Sequence, residues 1–354
     1  MQNYLYRHRL SWIASITLAM FVALGLLGGT SHAAKDTPFG VQFIAANTPN
    51  STLEEVNFAF NLSAAIGSHS SFVWHWDDRV FLGLLPSLAT MAQQRGLKTL
   101  FQIGATLAGE PAPPGKLPKS FGDPEVRKVY LEDTATLASL RPDYLVLCTE
   151  VNLMYRFNPA EFNHYITLYR EAYDLVKSIS PETKVGTSLL HFLWFANYRD
   201  NIDVAELLGP RDFVAFTSYP DSLVRDGFFA SIADIPAEWY GYVRTAYPND
   251  QILFTEVAWP SKGHETPAQQ AEYVRNLPRL MSIAKPEIVT WSLLYDVVFF
   301  QPSLLSEEAA RYIASLGVNV EDLFIRMNGM GLLDTSGYAK PALLEAINLD
   351  FSKP

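Results

Sequence analysis

Cysteine is nearly absent from this chain of 354 residues; Cys148 stands alone. A single thiol closes no internal disulfide, and no Cys/His cluster with zinc-ligand spacing accompanies it, so neither a disulfide framework nor a metal holds the fold. Glycine-rich phosphate cradles are missing as well. No GxGxxG or GxxxxGK(S/T) run follows the first strand-like segment, which excludes the common nucleotide-binding turns. Charge is sparse, at 18% of residues, and lopsided, with 27 Lys and Arg against 37 Asp and Glu. That balance excludes a broad nucleic-acid or anionic-membrane surface. No internal repeat or low-complexity stretch interrupts the chain.

A long apolar run is present, and it lies at the start. Arg7 and Arg9 precede apolar residues from Trp12 to Gly29, and Ser31-His32-Ala33 puts small residues at the −3 and −1 positions of a cleavage site. This pattern predicts a secretory signal peptide over residues 1–33. Its removal takes two arginines and no acids, so the formal charge moves from −10 to −12. Uncleaved, the run is just long enough to anchor the chain in a bilayer. In both cases the folded part, residues 34–354, is expected outside the cytoplasm, secreted or periplasmic. Once the signal is cleaved, no membrane contact is expected.

The rest of the chain alternates short β-rich runs with longer amphipathic stretches. Strands are expected at residues 39–44, 71–76, 98–103, 143–149, 184–190, 212–218, 251–257 and 287–293. Several are continuous apolar runs, such as Tyr144-Leu145-Val146-Leu147-Cys148. Such runs mark strands covered on both faces, as in a parallel sheet. Asp123-Pro124-Glu125, Asn158-Pro159-Ala160-Glu161 and Thr266-Pro267-Ala268 read as helix starts, each with an N-cap and proline at N1. Eight unbroken βα units predict the α/β class and a single-domain (β/α)8 TIM barrel. Long loops are expected after strands three, six and eight, at residues 107–121, 221–235 and 296–306.

Barrel enzymes place their functional side chains at the C-terminal ends of strands. Strand two ends in Trp74-His75-Trp76-Asp77-Asp78, strand four in Thr149-Glu150 and strand five at His191. Strand six ends in Ser218-Tyr219-Pro220, strand seven in Glu256-Val257-Ala258-Trp259, and strand eight carries Trp291. Carboxylates therefore end strands four and seven, on opposite sides of the barrel, with aromatic residues around them. Glycoside hydrolysis needs such a pair, one carboxyl to protonate the leaving oxygen and one to attack or to activate water. Sugar rings also stack their C–H faces on indoles. Trp74 and Trp76 share one face of strand two and His75 takes the other. Asp77-Asp78 reads as an N-cap, and Cys148 as a small buried residue.

Phe254-Thr255-Glu256-Val257-Ala258-Trp259-Pro260-Ser261 resembles the strand-seven nucleophile motif of clan A glycoside hydrolases. It is most similar to the forms in the β-1,3-glucanases (family 17) and the β-1,4-galactanases (family 53). Phe216-Thr217-Ser218-Tyr219-Pro220 resembles the galactanase strand-six motif, and Leu147-Cys148-Thr149-Glu150-Val151-Asn152 the strand-four acid/base motif. Gly331-Leu332-Leu333-Asp334-Thr335-Ser336-Gly337-Tyr338-Ala339-Lys340-Pro341-Ala342 is similar to the segment after strand eight.

The resemblance implies a retaining glycosidase with Glu256 as nucleophile, Glu150 as acid/base and carboxyl groups about 5–5.5 Å apart. It implies that Tyr219 orients Glu256 and that Trp291 lies under the reacting sugar. Thr149, Trp76, His75, His191 and Trp259 complete the candidate substrate-binding set. Two positions depart from the clan pattern. Thr149 stands where Asn precedes the acid/base, and His75 or Asp77 where strand two ends in Arg. Glu150 is expected to be protonated, its pKa raised by burial and by the second carboxylate. A carbohydrate partner, no cofactor, no metal and a monomeric state are expected. Two alternatives stand beside this reading. Thr149 motivates a barrel that binds sugar without cleaving it, and the N-terminal run motivates a membrane-anchored interaction protein.

Overall fold

The computed structural model describes residues 34–191, 203–305, 307–315 and 319–353. Eight strands appear where apolar runs predict them: β1 (Phe39–Gln42), β2 (His69–His75), β3 (Lys98–Gly104), β4 (Tyr144–Val146), β5 (Lys184–Leu190), β6 (Phe213–Ser218), β7 (Gln251–Val257) and β8 (Ile288–Trp291). Each pairs in parallel with the next, and β8 returns to β1 through Phe39 opposite Val289, so the barrel is closed. β2 and β3 run in register from His69 opposite Lys98 to His75 opposite Gly104.

The outer layer contains α1 (Leu53–Ile66), α2 (Arg79–Gln93), α3 (Pro124–Ser139), α4 (Val151–Phe157), α5 (Pro159–Ile179), α6 (Val204–Leu208), α7 (Asp221–Arg225), α8 (Glu238–Ala246), α9 (Pro267–Leu280), α10 (Glu307–Ser315), α11 (Val320–Met327) and α12 (Pro341–Ile347). The three predicted helix starts are observed. Asp123 accepts from Glu125 N and Val126 N, Asn158 caps α5, and Thr266 forms a capping box with Gln269. Each such cap contributes about 1 kcal/mol. Asp78 caps α2 by accepting from Phe81 N at 3.0 Å.

The barrel interior changes character along its axis. Leu100, Tyr144, Val146, Phe213, Ala215, Leu253 and Ile288 form an apolar plug toward the N-terminal ends of the strands. Above it the lining turns polar: Gln102 donates to Ser71 Oγ at 3.0 Å, and Thr187 donates to the Cys148 carbonyl at 3.0 Å. Outside the strands, a larger apolar layer packs them against the helices.

Strand four is shorter than its apolar run suggests. Regular pairing stops at Val146, although Leu147 N still bonds to Gly186 O and Thr149 N to Ile103 O. Residues 147–150 therefore follow the sheet edge as a turn. The long segment after β8 also differs from the expected loop. It runs well beyond residue 306 and carries α10 and α11 before returning at Gly331, whose N–H donates to Asp296. Among the described residues no helix is long and apolar enough to cross a membrane. The predicted signal peptide lies outside the described residues.

Candidate active site

Glu150 follows the end of β4 in the left-handed region, at φ 52° and ψ 41°. A non-glycine residue there costs on the order of 1–3 kcal/mol unless its surroundings hold it. Here its N–H donates to Ser188 Oγ at 3.1 Å, which ties the turn to β5. Glu150 occupies the N-cap position of α4, yet its side chain makes no cap bond. The carboxylate turns instead into the barrel mouth, where Oε1 accepts from Thr217 Oγ1 at 2.7 Å.

Glu256 reaches the mouth by another device. Strict alternation puts Phe254 and Glu256 on one face of β7. The pairing with β6 slips by one residue there: Phe216 lies opposite Phe254, but Thr217 lies opposite Glu256. A matching slip occurs against β8, from Val289 opposite Phe254 to Trp291 opposite Val257. Such a bulge re-aims the following side chain. Phe254 packs outside on Phe216, with ring centroids 5.6 Å apart. Glu256 joins Thr217 on the inside, and the Tyr219 hydroxyl donates to its Oε2. That hydroxyl also lies 3.4 Å from Ser292 Oγ.

Both carboxyls are partly exposed but ringed by protein. Burial raises the Glu150 pKa, and the Thr217 hydrogen bond opposes the rise. Glu256 is pushed up to about 7 by burial, with the Tyr219 hydrogen bond pulling down and the Glu150 charge pushing up. The expected rise at Glu150 is present, but the mutual charge acts on Glu256, where the sequence led to no expectation of a shift. The Tyr219 hydroxyl is held well above its ordinary range by burial and then by the Glu256 and Glu150 charges, so it stays a donor.

A cleft of about 820 Å³ is lined by Glu150, Tyr219 and His75 among others, and Glu256 lies beside it through the Tyr219 hydroxyl. His75 faces the cleft, as its alternation with the tryptophans predicts, with its side chain open to it; the enclosing protein lowers its pKa, with Asp77 and Asp78 opposing. Thr149 sits beside Glu150, partly exposed, with its N–H held by Ile103 O. Asn152 offers no substitute for the missing Asn. Its Nδ2 donates to Leu190 O at 3.0 Å and its Oδ1 accepts from Leu190 N at 2.8 Å.

Four expected substrate contacts lie behind the cleft wall rather than in it. Trp76 points outward, fully buried, and donates to Asp133. Trp291 is fully buried with its Nε1 on Met330 O at 2.9 Å, so Met330 rather than the indole meets the cleft. Trp259 packs on Tyr273, behind β7. His191 is stacked between Tyr240 and Tyr242, each 5.0 Å away. A ring enclosed on both faces has none to offer a sugar. The structure adds Thr217, Ser188 and Ser292, small polar residues with no standing in the sequence reading beyond Thr217's place two residues before Tyr219. It also adds Asp221, buried and paired with Arg326 and, at 3.4 Å, with Arg225. Among the described residues no group of three or more His, Cys, Asp or Glu side chains is placed to hold a metal ion.

No protein-family model and no curated protein matches the chain. Solved structures do. A GH5_18 protein from Streptomyces cattleya in complex with GlcNAc is 17% identical, with a TM-score of 0.66 over 89% of this chain and 80% of that one. The exo-β-1,4-mannosidase Op5Man5 from Opitutaceae bacterium strain TAV5 is 17% identical, with a TM-score of 0.65 over 90% and 61%. The GH53 catalytic domain of Ignisphaera aggregans is 16% identical, with a TM-score of 0.59 over 92% and 98%. The chain thus shares with these proteins the closed (β/α)8 barrel that its sequence led one to expect.

Proposed function

We propose that the chain is a retaining β-glycoside hydrolase acting outside the cytoplasm, with Glu256 as nucleophile and Glu150 as acid/base. The observation that carries this reading is the pair itself. Two carboxyls from β4 and β7 meet in one field, and each has a single dedicated hydroxyl donor, Thr217 or Tyr219. The fold neighbours named as glycoside hydrolases support the same class.

In the first step the Glu256 carboxylate attacks the anomeric carbon as the Glu150 carboxyl protonates the departing glycosidic oxygen. The C–O bond breaks, the aglycone leaves as an alcohol, and the sugar is esterified to Glu256. Water then adds to the anomeric carbon, giving its proton to Glu150 and releasing Glu256. The first step needs one proton on the pair, held by Glu150; burial raises the pKa of both carboxyls, and the Glu150 charge adds to the rise at Glu256. No cofactor or metal enters this scheme.

β-Mannosides are the first substrates to try, because one fold neighbour is an exo-β-1,4-mannosidase. Release of product with retained anomeric configuration, followed by proton NMR, supports the assignment; inversion overturns it. Thr149, together with the engaged Asn152, favours a second reading, a barrel that binds carbohydrate without cleaving it. Saturable sugar binding with no turnover across aryl β-glycosides decides for that reading.

A further inference from the structure

The cleft is divided by polarity. At the strand ends it presents Gln42, His75, Glu150 and Tyr219, groups that can meet hydroxyls. The segment after β8 covers the other part with Phe300, Leu305, Ile313, Leu323 and Met327. Phe299 and Leu107 also line it and are 41% and 40% exposed, so apolar surface continues to the mouth. The charged side chains Asp77, Asp78 and Glu150 stand with His75 at the strand-end part of the lining, while the arginines that face the cleft are paired within the protein. Arg326 is held by Asp221 and Asp322, and Arg225 by Asp221 and Asp226.

A second sugar ring in the apolar part leaves its hydroxyls without partners, each at a cost of about 1–3 kcal/mol. A hydrocarbon chain there gains from burial. Resting on the hydrolase reading above, we propose that the substrate is a β-glycoside with an aliphatic aglycone. Its sugar sits over Glu150 and Glu256, and its alkyl chain lies along Ile313, Leu323 and Met327. The products are a free sugar and a long-chain alcohol.

A series of n-alkyl β-mannosides, from methyl to dodecyl, tests this below the concentrations at which they form micelles. A parallel series carries whichever sugar the best aryl β-glycoside identifies. The specificity constant kcat/KM is expected to rise about fourfold per methylene over the first several carbons. Leu323→Asn and, separately, Met327→Gln are expected to flatten that slope. Both should leave methyl-glycoside turnover and cooperative melting intact. Turnover of aryl glycosides with no chain-length dependence overturns the proposal and leaves the hydrolase reading standing. If no glycoside is cleaved, the hydrolase reading falls. Calorimetric binding to the wild-type protein then decides the chain's place. Octyl glycoside binding at least tenfold tighter than methyl glycoside, with a negative heat-capacity change, supports it; tighter binding of a manno- or gluco-oligosaccharide overturns it.

Discussion

The ends of β4 and β7 aim their carboxyls by different means. At β4 the backbone turns, with Glu150 in the left-handed region braced by Ser188. At β7 the strand continues but inserts a residue, so Glu256 faces the side that Phe254 avoids. The donors differ as well. Glu150 has a secondary alcohol, while Glu256 has a phenol whose own ionisation is suppressed by burial and by both carboxylates. The contrast suits the roles. A nucleophile needs a fixed line of attack and a donor that moderates its basicity. A proton shuttle needs a weaker tether, because its charge changes twice per cycle.

The largest effect should separate the two carboxyls by leaving group. Glu256→Gln is expected to lower turnover about 10⁴-fold on every substrate. Glu150→Gln is expected to cost about 10²–10⁴-fold on alkyl glycosides and far less on aryl glycosides with acidic phenols, which leave without a proton. Steady-state kinetics on one alkyl and one dinitrophenyl glycoside reads this difference. Equal losses in both variants on both substrates erase the asymmetry.

Stability offers the next test. The folded pKa of Glu256, about 7, lies above its ordinary value of 4.5. Its contribution is therefore intact below pH 4.5 and is lost as pH rises through 7, by about 3 kcal/mol in all. Glu256→Gln escapes that loss. It should melt several degrees above the wild type at pH 8, with the gap closing by pH 4. A gap that does not depend on pH would falsify the shift.

Smaller effects bear on the two hydroxyl donors. The Tyr219 bond lowers the Glu256 pKa, so Tyr219→Phe should move the acidic limb of kcat/KM upward and cost about tenfold at neutral pH. The Thr217 bond lowers the Glu150 pKa, so Thr217→Val should move the basic limb upward and cost only a few-fold. Each pH–rate profile checks one carboxyl. If Tyr219→Phe moves the basic limb instead, the assignments are reversed.

The barrel was legible because its strands are covered on both faces and read as apolar runs. The helix starts were legible because Asp123, Asn158 and Thr266 precede prolines. Aim was harder to read. Period-two alternation gives His75 its inward place, but it puts Glu256 beside Phe254, and only the register slip against both neighbours corrects this. The tryptophans misled for a related reason. Residue type advertises a sugar platform, while Trp76, Trp259 and Trp291 serve the layer behind the strands. The apolar cover made by Phe300, Leu305, Ile313, Leu323 and Met327 also stayed hidden. Its anchors pair residues far apart in sequence, as Arg326 with Asp221 and Lys340 with Asp296.

One measurement reaches the central claim directly. A 2-deoxy-2-fluoro β-glycoside with a dinitrophenyl leaving group forms the glycosyl-enzyme quickly and releases it slowly, because the fluorine destabilises the oxocarbenium-like transition state. Mass spectrometry of the treated protein should show one added sugar, and peptide mapping should place it on Glu256. A protein that turns over aryl glycosides yet carries no adduct, or carries it on another residue, contradicts the account.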